Sequence, residues 1–178
     1  ATNFITNGLG VDSAYKEVGI LAMLFFLQIY VILLSLKTKI MALIKSVNGV
    51  SPRFGRDIYL ADNATVVGDV IMGDECSVWF QAVVRGDVHH IRLGNKVNIQ
   101  DGAVIHCTYL KHPTEIGSNV SIGHNALVHG CTIHDNVLIG MGAIVMDGAI
   151  IHSNSIVAAG AVVLEGMEVE SGCIYAGV

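Results

Sequence analysis

The chain has 178 residues, of which 52% are apolar, 6% aromatic and 14% charged, with a net charge of −5. That length suits one ordinary domain plus an appendage, and the mildly acidic balance gives no reason to expect nucleic acid as a partner. The four cysteines, Cys76, Cys107, Cys131 and Cys173, show no CxxC and no paired spacing; they read as reduced thiols in a cytoplasmic protein rather than as a disulfide framework.

Residues 1–50 share no regular beat. Within them Val18–Leu36 is apolar apart from Gln28 and a few mild residues. As a helix it would run about 28 Å, close to the thickness of bilayer hydrocarbon. Lys37, Lys39 and Lys45 come directly after it, so the positive-inside rule would put the rest of the chain on the cytoplasmic side. Three readings stay open for this apolar helix: a membrane anchor, an extension foreign to the functional protein, or a helix packed against the main domain. A membrane is a partner only under the first. The boundaries expected from sequence are 1–50 for the N-terminal extension and 51–178 for the main domain.

From Leu60 the aliphatic residues recur in sixes: Leu60, Val66, Met72, Val78 and Val84; Leu93, Ile99 and Ile105; Ile116, Ile122 and Val128; then Ile139, Val145, Ile151, Val157, Val163 and Val169, with Tyr175 last. Such a period specifies an all-β fold, a parallel β-solenoid in which each six supplies a short strand and a turn and three sixes make a coil. Asn63, Asp69, Asn95, Asn119, Asn136 and Asn154 fall at the turns, where Asn and Asp tolerate left-handed backbone. Two places break the beat. The phase shifts around Asp87–Arg92, and the gap from Ile105 to Ile116 is eleven residues rather than six. A polar stretch with a proline, Thr108–Glu115, makes the second break a loop pushed out at a corner.

Eight histidines are distributed over this repeat: His89, His90, His106, His112, His124, His129, His134 and His152. Taken singly, each is most simply a solvated turn or outward residue. His112, His134 and His152 fit that reading, while His89 and His90 sit at the phase break. His106, His124 and His129 differ as a set. A coil lengthened by five holds 23 residues, the separation of His106 from His129. Each comes after an inward aliphatic residue, so both point outward from one face, one coil apart. Coils are spaced about 4.7–4.9 Å, and two imidazoles so stacked bind one ion with Zn–N bonds of about 2.0–2.1 Å. His124 lies roughly a third of a coil earlier. It would complete a neighbour's site in a three-fold assembly, giving three imidazoles and an open fourth position. In a competing alignment the loop replaces a six, and His106 stacks on His124 instead.

Arg85-Gly86-Asp87, Asn98-Ile99-Gln100-Asp101-Gly102, Ile105-His106, the run Gly123–Cys131 and Ile139-Gly140-Met141-Gly142-Ala143 together resemble a gamma-class carbonic anhydrase. The resemblance covers roughly Val50 to Val178. It implies a left-handed β-helix, a homotrimer and a metal at each subunit interface, zinc with iron or cobalt as alternatives. By the family pattern His106 and His129 ligate from one subunit and His124 from its neighbour. Arg85 and Asp101 match an interface ion pair, and Asp87 and Gln100 match polar groups near the reacting solvent. Asp87 and Asn98 are candidates to fix the imidazole tautomers.

The implied reaction is hydration of CO2 to bicarbonate, because a metal on three neutral histidines lowers the pKa of bound water from 15.7 to about 7. Two departures bear on activity. Val88 stands where the well-studied type has a glutamate, and Tyr109 lies in a short loop where that type carries a proton-shuttling glutamate; Glu115 and His112 are the loop residues able to substitute. Two other readings remain: a hexapeptide acyltransferase that uses a coenzyme A thioester and one histidine as base, and a non-enzymatic trimeric scaffold locked by its metal.

Overall fold

The computed structural model describes residues 22–29 and 41–177. Residues 22–29 are helical; the remainder of the apolar helix expected over Val18–Leu36 lies outside the described residues. Among the described residues no helix is long and apolar enough to cross a membrane. The chain divides between Lys39 and Ile40. Leu43–Lys45 already pairs with Thr65–Val67, so the solenoid unit begins ahead of Ser51.

That unit is the β-solenoid the six-residue period specifies, with parallel strands on three faces. One face carries seven strands, Tyr59–Leu60, Ser77–Val78, Asn98–Ile99, Ser121–Ile122, Leu138–Ile139, Ile156–Val157 and Ile174–Tyr175, one for each coil. The other two faces form a continuous sheet, because the long strands Thr65–Met72 and Val83–Leu93 bend round the corner between them. We call the face holding Val104–His106 and Leu127–His129 the first, the face holding Thr114–Ile116 and Thr132–Ile133 the second, and the seven-stranded one the third.

The local cause is a two-residue alternation inside each six. The aliphatic residue points in and its neighbours point out, as the strand pleat requires. Val78, Ile99, Ile122, Ile139 and Val157 stack on the third face with no exposed surface, as do Val84, Ile105, Val128, Val145 and Val163 on the first. Two residues before each of those on the first face, and before Val66, a small side chain lines the bend: Ala64, Ala82, Ala103, Ala126, Ala143 and Ala161 are all buried. Their small side chains keep this bend closely packed.

All irregularities gather at the corner between the first and second faces. Gly68 pairs with Gly86 but Val70 with Ile91, so the later strand holds three extra residues there. Gly68 (φ 76°) is required at this bulge, since a Cβ would sit 2.3 Å from the Gly86 carbonyl oxygen. On the next coil Thr108 and His112 bridge the neck of the inserted loop. One coil later the step from Val128 to Ile133 is one residue short, and Gly130 takes a φ of 54°. The first two breaks are visible in the sequence; the third is not among the breaks expected from it.

Candidate metal centre

His129 pairs in register with His106, so the alignment with a 23-residue coil holds and the competing one, with His106 on His124, is excluded. Both side chains leave the end of a first-face strand, just before the irregular corner. Their ring centroids are 5.0 Å apart, and His106 Nδ1 faces His129 Nε2 at 3.0 Å.

Each outer nitrogen meets a carboxylate. His106 Nε2 lies 3.0 Å from Asp87 Oδ1, and His129 Nδ1 lies 2.7 Å from Asp147 Oδ1. The carboxylates are themselves held, Asp87 by Arg85 at 2.6 Å and Asp147 by the Thr108 hydroxyl at 2.9 Å. A carboxylate only accepts, so each outer nitrogen donates, and each facing nitrogen is left with its lone pair. At 3.0 Å the facing nitrogens share a proton when one ring is protonated, and when both rings are neutral they present two lone pairs to a cation. A tetrahedral ion with bonds of 2.0–2.1 Å would hold two such nitrogens about 3.4 Å apart, so the donor set fits a metal.

The electrostatics agree. Burial is the main influence holding His106 below the usual imidazole range; Asp87 opposes it, and Arg85 and His129 reinforce it. Its neutral form, the one a ligand must have, is therefore favoured. For Asp87 partial burial works against the charge, but the bonds from Arg85 and His106 outweigh it and leave the carboxyl low. Asp147 has the same pattern, with His129 and Thr108 outweighing burial.

The corner insertions brace this pair. The buried Thr114 hydroxyl donates to the His106 carbonyl and accepts from Gly130 N–H at 3.0 Å, tying the two histidine strands together. His112, read from sequence as solvated, instead tucks against the corner: a Cβ on Gly148 would touch its ring at 3.3 Å, and its Nε2 is buried without a partner. Tyr109 and Leu110 at the loop tip are exposed. Glu115 is engaged by His90 at 2.7 Å. Asp147, Thr108 and Thr114 are absent from the residues expected from sequence. Counting one regular coil of 18 from His129 would have found Asp147.

The remaining expected residues lie elsewhere in the chain. His124 sits in the turn leaving the third face, with Nδ1 3.0 Å from Asp101 Oδ2. Gln100 and His124 share an open hollow of about 330 Å³ with Leu138, Met141 and Ile156. Asn98 Oδ1 accepts from Trp79 Nε1 at 2.8 Å and from the Ser77 hydroxyl at 2.9 Å. Arg85 is paired with Asp87 and Asp101 with His124, so an Arg85–Asp101 ion pair would require a second copy. Among the described residues no three metal-binding groups converge. A single chain thus holds two separate groups: His106 with His129 on the first face, and His124 with Gln100 at the edge of the third.

A solenoid of six-residue repeats, three to a coil, with its polar residues gathered in this way defines a hexapeptide-repeat protein. A family model described as bacterial transferase hexapeptide (six repeats) matches residues 130–165. The chain is 53% identical over 90 residues to a protein of Methanocaldococcus jannaschii named "Probable carbonic anhydrase", covering 51% of this chain and 56% of that one. It is 43% identical over 103 residues to gamma carbonic anhydrase 2, mitochondrial, of Arabidopsis thaliana, covering 55% of this chain and 37% of that one. The chain thus spans about half the length, or less, of these curated relatives. Among solved structures it is similar to a hexapeptide transferase family protein from Anaplasma phagocytophilum, with 40% identity, a TM-score of 0.71 and coverage of 74% and 77% of the two chains. The chain belongs to the hexapeptide-repeat family and, over about half its length, is similar to gamma-class carbonic anhydrases.

Proposed function

We propose that the protein is a metal-dependent, carbonic anhydrase-like enzyme interconverting CO2 and bicarbonate at centres shared between the subunits of a homotrimer. The observation that carries this reading is the His106–His129 pair, whose outer nitrogens are engaged by Asp87 and Asp147 and whose facing nitrogens, in the neutral rings, are both free to ligate one ion. His106 and His129 would hold the ion from one subunit and His124 from the next, with zinc, iron or cobalt compatible with imidazole. The bound ion supplies Lewis acidity that makes water nucleophilic near neutral pH.

The protein's own groups have distinct parts. Asp87 and Asp147 orient the two imidazoles. Gln100, placed beside His124, binds the reacting oxygen by hydrogen bonds without titrating. Asp101 orients His124 until a second copy offers Arg85. Leu138, Met141 and Ile156 beside His124, and Leu127, Ile144 and Met146 beside His129, are exposed in a single chain. These apolar surfaces flank the two half-sites and would be buried when subunits meet.

Stopped-flow CO2 hydration on the zinc, cobalt and iron(II) forms tests the reading. Activity that needs metal and disappears in His106→Ala and His124→Ala supports it. The likeness to a hexapeptide transferase family protein favours a second reading, acyl transfer from coenzyme A. Metal-free protein that binds coenzyme A and hydrates no CO2 would establish that reading instead.

A further inference from the structure

The solenoid stacks a second pair of histidines, on another face and outside the centre described above. Ile133 pairs with Ile151, so the residues immediately after them, His134 and His152, stand one coil apart at the end of the second face. Their rings lie parallel, 5.2 Å between centroids and 7° between planes. His134 is exposed and His152 half-buried. His152 Nε2 is 3.4 Å from Glu168 Oε2, whose side chain is 62% exposed.

We propose that His134 and His152 form a second, solvent-facing site for a divalent transition-metal ion, with Glu168 as its counter-charge. A parallel stack one coil apart brings the two imidazoles, at 5.2 Å between centroids, within reach of a single ion. Two imidazoles on one ion with bonds of 2.0–2.1 Å keep their nitrogens about 3.4 Å apart. The rings have only to lean together by side-chain torsion, which is soft about the bond to an imidazole. The carboxylate of Glu168 lowers the cost of placing a cation there. No three donors converge among the described residues, so water fills the remaining positions. Affinity therefore runs in the ligand-field order, with copper(II) and nickel(II) held more tightly than cobalt(II). This site is complete within one chain and depends on neither the trimer nor CO2 chemistry.

Calorimetric titration of the full chain with Ni2+ tests it. His134→Gln and His152→Gln should each remove one bound equivalent per chain while leaving the equivalent that His106→Ala removes. Both side chains face solvent, so far-UV circular dichroism should be unchanged. As a second measurement, Cu2+ bound in the equivalent that His134→Gln abolishes should show two imidazole nitrogens by electron paramagnetic resonance. Isotherms for His134→Gln and His152→Gln identical to that of the unaltered chain would overturn the proposal, as would a copper spectrum without nitrogen couplings.

Discussion

His129 stands one coil beyond His106 in direct register, with the facing ring nitrogens 3.0 Å apart and each outer nitrogen on a carboxylate. Neither the stacking nor the carboxylates alone would make a site. Register brings the rings together, and Asp87 and Asp147 turn the lone pairs inward.

Asp147→Asn should weaken metal binding about 10–100-fold, the usual effect of removing a group that orients a ligand. Competition against a chromophoric chelator measures it. Thr108→Val, which frees one Asp147 oxygen, should produce a smaller loss. Unchanged affinity in Asp147→Asn would show that the aspartate does not orient His129.

Acid should destabilise the protein in two stages. His106 is held below its ordinary value of 6.5, so below pH 6.5 the unfolded chain takes up more protons than the native one. Stability then falls as pH drops through that window and is flat above it. Asp87 and Asp147 lie below 3.8 when folded; their contributions are present above 3.8 and are lost as pH falls through the lower folded values. Urea melts at pH 7, 5 and 3 should give a descending series, with metal released over the first step.

Ile151→Ala should cost about 2–5 kcal/mol, because Ile151 is fully buried between stacked coils. Tyr109→Ala, at the 69% exposed loop tip, should stay within about 0.5 kcal/mol. Denaturant midpoints compare the two directly.

Cysteine reactivity should be confined to one residue. Burial pushes the Cys131 thiol up to about 12 and also raises Cys76 and Cys107, while Cys173 is exposed. Native protein should therefore show one fast thiol per chain toward a disulfide reagent and four after unfolding.

The coil count and the stacking of His106 on His129 are legible in the sequence because an aliphatic beat of six has few exceptions, and each exception shifts everything after it by a countable amount. The short step from Val128 to Ile133 is not, since a single missing residue between two strong segments resembles an ordinary turn. Asp147 is hidden for a related reason: it becomes a neighbour of His129 only after one more coil. Leu43–Lys45 carries three residues and no repeat, so its place on the solenoid has no periodic signal. Gln100 is expected near the reacting solvent and Asn98 as an acceptor behind an imidazole; the chain holds both at the third face, with His124 in the turn that leaves it. Their role depends on how a second copy docks, which no spacing within one chain encodes.

Subunit complementation distinguishes a site divided between two chains from one held by a single chain. His106→Ala and His124→Ala chains should each bind no metal at the centre and hydrate no CO2. Unfolded together in equal amounts and refolded, they should assort at random. About one quarter of the sites would then pair an intact His106–His129 with an intact His124, and that share of metal binding and activity should return. A mixture as inactive and metal-free as its parents would contradict a shared centre.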